Sequence, residues 1–558
     1  MNFKLLNIFS IRVFAILIST LYMVYHSCSG DKGFDIEVFN ENFQKNVETL
    51  SSDKFEGRAP STEGAKLTEA FIEDEFIRIG LKPANGKSYR QAVPLVEITG
   101  SNFSELVLRD DSKDTFSFKY KDEMVVGTTR LDIDIRLDKS DLVFAGFGIV
   151  APEYSWDDYK EIDVKGKTVI VFVNDPGYHT EDTSLFTGKT MTYYGRWTYK
   201  YEEAARQGAA GIFIVHETGP AGYGWDVVRN SWSGPQYELA GDENSVKVEV
   251  QGWLHQDAAG RIFEKSGLTL QQAKEMAVSK DFKAIELGQT ASVNFNVEFT
   301  HFQSYNIAAY VEGSKYPEET IIYMAHWDHL GKEETPEGVK IYNGAVDNAT
   351  GTAAIIAIAE KFARLKTSPE RSVVFMAVTA EESGLLGSRY YSENPLFPVE
   401  TTVGGINIDG LNVYGPTHDV SVVGYNSSEL QDYLSRHASE QDRILIPEKY
   451  PERGYFYRSD HFNMLRKGVP MIYANSGQDF IGRDEEYALM AKKDQEGRYH
   501  SHNDTIHDLW NWDGLHQNLW LFFNVGQELA NSRDWPKWNN GSEFKGIRET
   551  SDSLRRPD

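Results

Sequence analysis

Three short apolar runs in the carboxyl-terminal half of the chain each end in side chains able to hold a metal or move a proton. Ile321 to Ala325 runs into His326-Trp327-Asp328-His329, Val373 to Val378 leads to Glu381-Glu382, and Gly405 to Ile408 runs into Asp409. Two more stretches carry groups of the same kind: Gly344-Ala345-Val346-Asp347-Asn348, and Tyr499-His500-Ser501-His502-Asn503-Asp504-Thr505. The chain has one cysteine, Cys28. An internal disulfide or a thiolate cluster is therefore excluded, and any metal must be held by imidazole and carboxylate. Such a donor set around an open position suits metal-assisted hydrolysis.

Each of these groups has an ordinary alternative. A lone Asp409 would serve as a helix cap or turn former, and adjacent glutamates usually form a solvated turn. The His326/His329 pair would be structural, and His500 and His502 would sit in solvent. Their common placement argues otherwise. From Ser304 onward, apolar runs of five to eight residues alternate with longer helical patterns, the signature of a parallel sheet with crossover helices. Ligands of such sheets bind at the carboxyl ends of the strands, so the three strand ends converge on one crevice. Asp347 precedes the apolar helix Thr352 to Leu365 and reaches the same place. A shared dimetal site explains all five stretches with one cause.

The predicted fold class is α/β: a mostly parallel, mixed sheet flanked by helices, with a smaller β-rich domain inserted. Glu37 to Leu81 reads as two helical segments around the polar stretch Ser51 to Gly64. Between about Asp132 and Ala291 the texture changes to short β-rich runs, with a helix near Glu202 to Gln207 leading to Gly211-Ile212-Phe213-Ile214-Val215. The expected division is 1–27 for an export signal, 35–131 for an N-terminal part of the main domain, 132–291 for the insert, 298–535 for the catalytic domain, and 539–558 for a loosely structured charged tail. A length of 558 residues gives ample chain for a large core, and a formal charge of -26 disfavours nucleic acid or anionic lipid as a partner. Lys4 and Arg12 followed by an uncharged apolar run from Val13 to Val24 match a secretory signal. Tyr25-His26-Ser27-Cys28 is similar to a bacterial lipoprotein processing site, which implies a membrane tether through a lipidated Cys28 and a periplasmic, outer-membrane or cell-surface location; plain signal cleavage and an uncleaved anchor are the alternatives.

The motifs Gly344 to Gly351, Ala380-Glu381-Glu382-Ser383-Gly384 and Tyr499 to Thr505, with His326-Trp327-Asp328-His329 upstream, resemble in order and spacing those of the M28 family of zinc metallopeptidases. Ser51-Asp53-Glu56-Gly57-Arg58 with Gly80-Leu81-Pro83 resembles that family's N-terminal segment, and Tyr201 to Val215 resembles a protease-associated domain. The resemblance implies two Zn2+ per chain, with Co2+ or Mn2+ as substitutes. One would be held by His326 and Asp409, the other by Glu382 and His500, with Asp347 bridging. It further implies Glu381 as the general base that activates a bridging water, Asp328 as the group orienting His326, and Tyr457 as the oxyanion donor. The expected activity is release of N-terminal residues from peptides or small proteins. The alternatives are a same-fold glutaminyl cyclase with one zinc and a metal-free, receptor-like binding protein. The sequence contains no G-x-S-x-G elbow, no H-E-x-x-H and no glycine-rich phosphate loop.

Overall fold

A computed structural model of the chain describes residues 36–241, 246–336 and 338–555. The expected signal segment and Cys28 lie outside the described residues. Among these, no helix is long and apolar enough to cross a membrane.

The C-terminal half is built on a mixed sheet. The strands Tyr316–His326, Arg371–Val378, Thr402–Asn407 and Met471–Ser476 are parallel neighbours, with Arg371–Val378 and Thr402–Asn407 on either side of Tyr316–His326. The antiparallel strands Ile285–Val311 and Asp419–Val423 extend the sheet at its two sides. The residues on these parallel strands are apolar almost without interruption because both faces are covered. Ile321, Tyr323 and Ala325 alternate with Ile322 and Met324, and the two sets enter different cores.

The first face is covered by the helices Ile36–Leu50, Thr350–Ala363 and Trp512–Asn531. Phe39, Phe43, Val47 and Leu50 fall on one stripe of the first of these and are all buried. The tyrosine hydroxyl of Tyr323 donates to the carbonyl of Phe522 at 2.8 Å, tying the last helix to the sheet centre. The second face is covered by Tyr391, Phe462, Met464 and two residues of the C-terminal segment, Trp538 and Phe544. The expectation of a loose tail after Trp538 is thus corrected. Lys545–Asp552 is helical, and Arg548 is buried with its guanidinium donating to the carbonyl of Thr402 at 3.0 Å. Apolar anchors spaced among many charges conceal this packing in the sequence.

A second core lies in the β-rich module. Its strand Gly211–His216 is parallel to Thr168–Phe172 and Val250–His255, with helices such as Trp197–Arg206 and Gln256–Lys265 packed beside them. This core takes in Val96, Leu108, Phe118 and Val126, which the sequence assigns to the N-terminal part of the main domain. The cause is a long ribbon. Arg90–Ser101 pairs antiparallel with Ile285–Val311 from Arg90↔Ile307 to Ser101↔Asn296, and so carries the chain out of one core into the other by about residue 96. Ile285–Val311 itself spans 27 residues and pairs with module strands at one end and with Arg371–Val378 at the other.

Candidate metal centre

The register sets the three strand ends level. His326 lies opposite Val378, Met324 lies opposite Asn407, and the amide of Ile408 donates to the carbonyl of Met324 at 2.8 Å. After Val378 the chain turns sharply, with Ala380 in the left-handed region at φ 54°, and this turn presents Glu381 and Glu382. Asp328 holds the turn from the neighbouring strand end. Its two carboxylate oxygens accept from the amides of Glu381 and Glu382 at 3.1 and 3.3 Å. The atom nearest His326 Nδ1 is accordingly the backbone oxygen of Asp328, at 3.1 Å, while the carboxylate stands 3.9 Å away. Asp328 thus holds the Glu381-Glu382 turn through its carboxylate and meets the His326 imidazole through its backbone oxygen, where the sequence suggested only the imidazole.

His326, Asp347, Glu382, Asp409 and His500 come together. His326 Nε2 is 3.2 Å from Asp409 Oδ1 and 3.3 Å from Asp347 Oδ1. On the other side His500 Nε2 is 3.2 Å from Asp347 Oδ2 and 3.1 Å from Glu382 Oε2. Asp347 therefore stands between the two halves with one oxygen toward each. Donor atoms of His326, Glu381 and Asp409 lie within 4.8 Å of one another, as do those of His329, Asp347 and Glu382. His329 belongs to this second group without having been assigned a role from the sequence; its Nδ1 lies 2.6 Å from Glu382 Oε1. Its position three residues after His326 was the available signal.

Buried neighbours hold these side chains in place. The carboxylate of Asp504 accepts from the amides of Val346 and Asp347. Ser459 Oγ donates to Asp409 Oδ2 at 2.6 Å and accepts from Asn407 Nδ2 at 2.7 Å. Arg58 is 1% exposed, and its guanidinium donates to the carbonyls of Leu50, Trp327, Asn343 and Gly344 at 2.6 to 2.9 Å. It clamps the His326 strand end to the Gly344 turn. Gly344 has φ 55°, and a Cβ there would fall 2.2 Å from the carbonyl oxygen of Asp347, so this close turn requires glycine.

Carboxylates outnumber cations here. Burial, together with Asp409, Glu382 and Asp460, drives the Glu381 carboxyl well above its usual range, against the pull of His326. Burial also pushes Asp460 up to about 7 and Asp328 up to about 6. A cluster of oxygen and imidazole nitrogen donors with this surplus of negative charge fits divalent cations.

Tyr457 is not part of the cluster, which corrects the expectation of an oxyanion donor. The turn from Gly454, at φ 63°, points its ring into the junction with the β-rich module, where its hydroxyl donates to Glu543 Oε1 at 2.9 Å. Two other tyrosines sense the cluster. Tyr499 stacks on His500 with ring centroids 3.9 Å apart. Burial raises the Tyr473 hydroxyl well above its usual value, reinforced by Asp409, Glu381 and Asp347. Tyr473 lies opposite Asn407 in the sheet, two residues before Asp409, a register that strand pairing alone supplies.

Residues 306–525 match peptidase family M28. Aminopeptidase NAALADL1 of Mus musculus is 32% identical over 310 residues, 47% of this chain and 38% of the mouse protein. Leucine aminopeptidase 2 of Arthroderma otae is 22% identical over 322 residues, 54% of this chain and 59% of the fungal protein. The chain thus spans 38% of the mouse relative's length. Among solved structures, an aminopeptidase from Aneurinibacillus sp. strain AM-1 aligns with a TM-score of 0.47 at 17% identity, covering 88% of this chain and 93% of that one.

Proposed function

We propose that this chain, whose residues 306–525 carry the peptidase family M28 domain, is an exported dizinc metallopeptidase that releases N-terminal residues from peptides. The observation that carries this reading is the position of Asp347, 3.3 Å from His326 Nε2 through one oxygen and 3.2 Å from His500 Nε2 through the other. His326 and Asp409 would hold one ion, Glu382 and His500 the second, and Asp347 would serve both. His329 stands ready beside Glu382. Bound zinc supplies Lewis-acid polarisation of a carbonyl and acidification of water.

The remaining work falls to the chain's own residues. Glu381, held by its backbone amide on Asp328, takes up a proton at its carboxylate and returns it to the leaving amine. Tyr473 and Tyr499 are the aromatic groups at hand to position the substrate. The surplus of carboxylates favours a substrate bearing a free α-amino group. The single-zinc cyclase reading is less favoured because the donors form two groups rather than one.

Metal analysis of the purified chain together with a panel of peptides having free or blocked termini tests this reading. Two zinc ions per chain and trimming from the free amino end are expected. Trimming from the carboxyl end, or one metal per chain, would overturn it. Export and lipidation at Cys28 are tested by mass spectrometry of the membrane fraction, with a diacylglyceryl adduct on Cys28 expected.

A further inference from the structure

His500 is the most exposed of the five assigned ligands. Its side chain is 37% accessible, where those of His326 and Glu382 are 1% and 8%. Its backbone stands in the left-handed region at φ 51°, a conformation that a bulky residue keeps only where its surroundings hold it. On the C-terminal side that support is firm, because the carbonyl of Asp504 accepts from the amide of Ala345 at 3.0 Å and its carboxylate holds the next two amides. On the N-terminal side the support is the helix Glu485–Arg498, which reaches His500 through Tyr499.

That helix is held weakly. Of its 14 residues only Ala491 is buried, Leu489 is 62% exposed, and Tyr487 and Ala488 reach only the margin of the first core. Residues 481–486, which lead into it, are all exposed. The Tyr487 hydroxyl donates to the carbonyl of Tyr414 at 2.8 Å, the Tyr414 hydroxyl donates to Asp494 at 3.0 Å, and Lys492 donates to the Tyr450 hydroxyl at 3.3 Å. None of these bonds is fully buried. A cavity of about 180 Å³ separates Ala488, Ala491, Lys492 and Gln495 on the helix from Tyr473 and Asn475 on the sheet. A helix packed by an apolar stripe leaves no such space, and few buried contacts with hydrogen bonds open to water mark a segment of low local stability. The cavity adjoins the centre, since Asn475 Nδ2 donates at 2.7 Å to the carbonyl of Gly410, the residue after Asp409.

We propose that the helix Glu485–Arg498 is a lid whose closure is coupled to the ion held by Glu382 and His500. This rests on the dimetal reading for the ion and on the weak docking of the helix for the motion. With the ion in place His500 is kept against Asp347 and Glu382, and the helix that leads to it is kept down over the cavity. Without the ion the helix is left with its exposed hydrogen bonds and lifts, opening the cavity to solvent. The coupling is reciprocal: the factor by which the ion favours the closed helix is the factor by which the closed helix favours the ion. The ion held by His326 and Asp409 escapes this dependence, because His326 ends the strand Tyr316–His326 and Asp409 follows closely on Thr402–Asn407.

Hydrogen exchange followed by mass spectrometry on the full chain, zinc-free and zinc-loaded, reads the lid directly. Amides of residues 485–498 should exchange about tenfold or more faster without zinc, while those of the helix Trp512–Asn531 keep one rate. His500→Ala should leave residues 485–498 at the fast rate even in excess zinc. Ala491→Asp puts a carboxylate beneath the helix at a residue outside the donor set. In a chelator titration it should weaken one of the two zinc ions by about tenfold and leave the other unchanged. The exchange of Trp512–Asn531 shows that each variant has kept its fold. Equal rates for residues 485–498 with and without zinc, slow exchange in His500→Ala, or acceleration of both helices together would overturn the lid. A parent chain that binds no zinc would overturn the dimetal reading as well, whereas two bound ions with an indifferent helix would leave that reading standing.

Discussion

The carboxylate of Asp504 accepts one hydrogen bond from the amide of Val346 and one from the amide of Asp347, both at 3.0 Å. The residue that stands between both halves of the centre is therefore fixed through its backbone by an acid four residues beyond His500. Asp504→Asn should lower metal affinity by about 10- to 100-fold although Asp504 contributes no donor atom of its own. Titration with a zinc chelator checks this. An unchanged affinity would show that the 345–349 segment holds its shape without Asp504.

Glu381→Gln should keep both metals and lower turnover by about 10²- to 10⁴-fold, because the amide preserves the contacts of the turn but cannot take up a proton. Metal content by mass spectrometry and kcat are the paired measurements. Glu382→Gln is the contrasting variant, expected to lose metal.

Arg58→Met removes one buried cation and leaves four carbonyl oxygens without their donor, while taking a positive charge away from Asp504, Asp347, Asp328 and Glu382. A loss of about 3–5 kcal/mol is expected from such a change. Chemical denaturation followed by tryptophan fluorescence measures it. Arg58→Lys should recover only part of the loss, since one ammonium cannot span the same acceptors.

His461 is fully buried, and burial lowers its imidazole to about 3. The unfolded chain takes up a proton at this residue below about pH 6.5, whereas the folded chain does not. Stability is thus lost as pH falls from about 6.5 toward 3, by roughly 2 kcal/mol at pH 5. His461→Leu should show a smaller drop in Tm between pH 7 and pH 5 than the parent chain, whatever its absolute stability. An equal drop in both would place the acid sensitivity elsewhere.

The reach of sequence reasoning follows the range of each interaction. His326, Glu382 and Asp409 were legible because each follows directly on an apolar run, and strand direction then brings them together. Asp347 and His500 were legible from short motifs. Tyr457 misled because a single left-handed residue, Gly454, decides which way its turn faces, and the module packed against that turn has no counterpart in the local sequence. Tyr473 was missed since its relation to Asp409 exists only through the pairing of two strands some 65 residues apart, as in Asn407↔Tyr473. Arg58 stood in a recognised motif, yet its four acceptors come from 8 to 286 residues away. The early start of the second core was hidden because Arg90–Ser101 is one unbroken strand serving two cores.

The covering of the first sheet face has a consequence for synthesis. The helices Ile36–Leu50 and Glu63–Ile79 bury their apolar stripes against Thr350–Ala363, which the ribosome makes about 270 residues later. At about 5–20 residues per second that is roughly 15 to 55 s during which both stripes lack their final partner. The β-rich module, whose strands all emerge within that interval or just after it, is free to fold first. The opening helices must then be sheltered until the strands bearing the metal donors arrive, and a slow stretch of translation between residues 312 and 350 would lengthen that exposure.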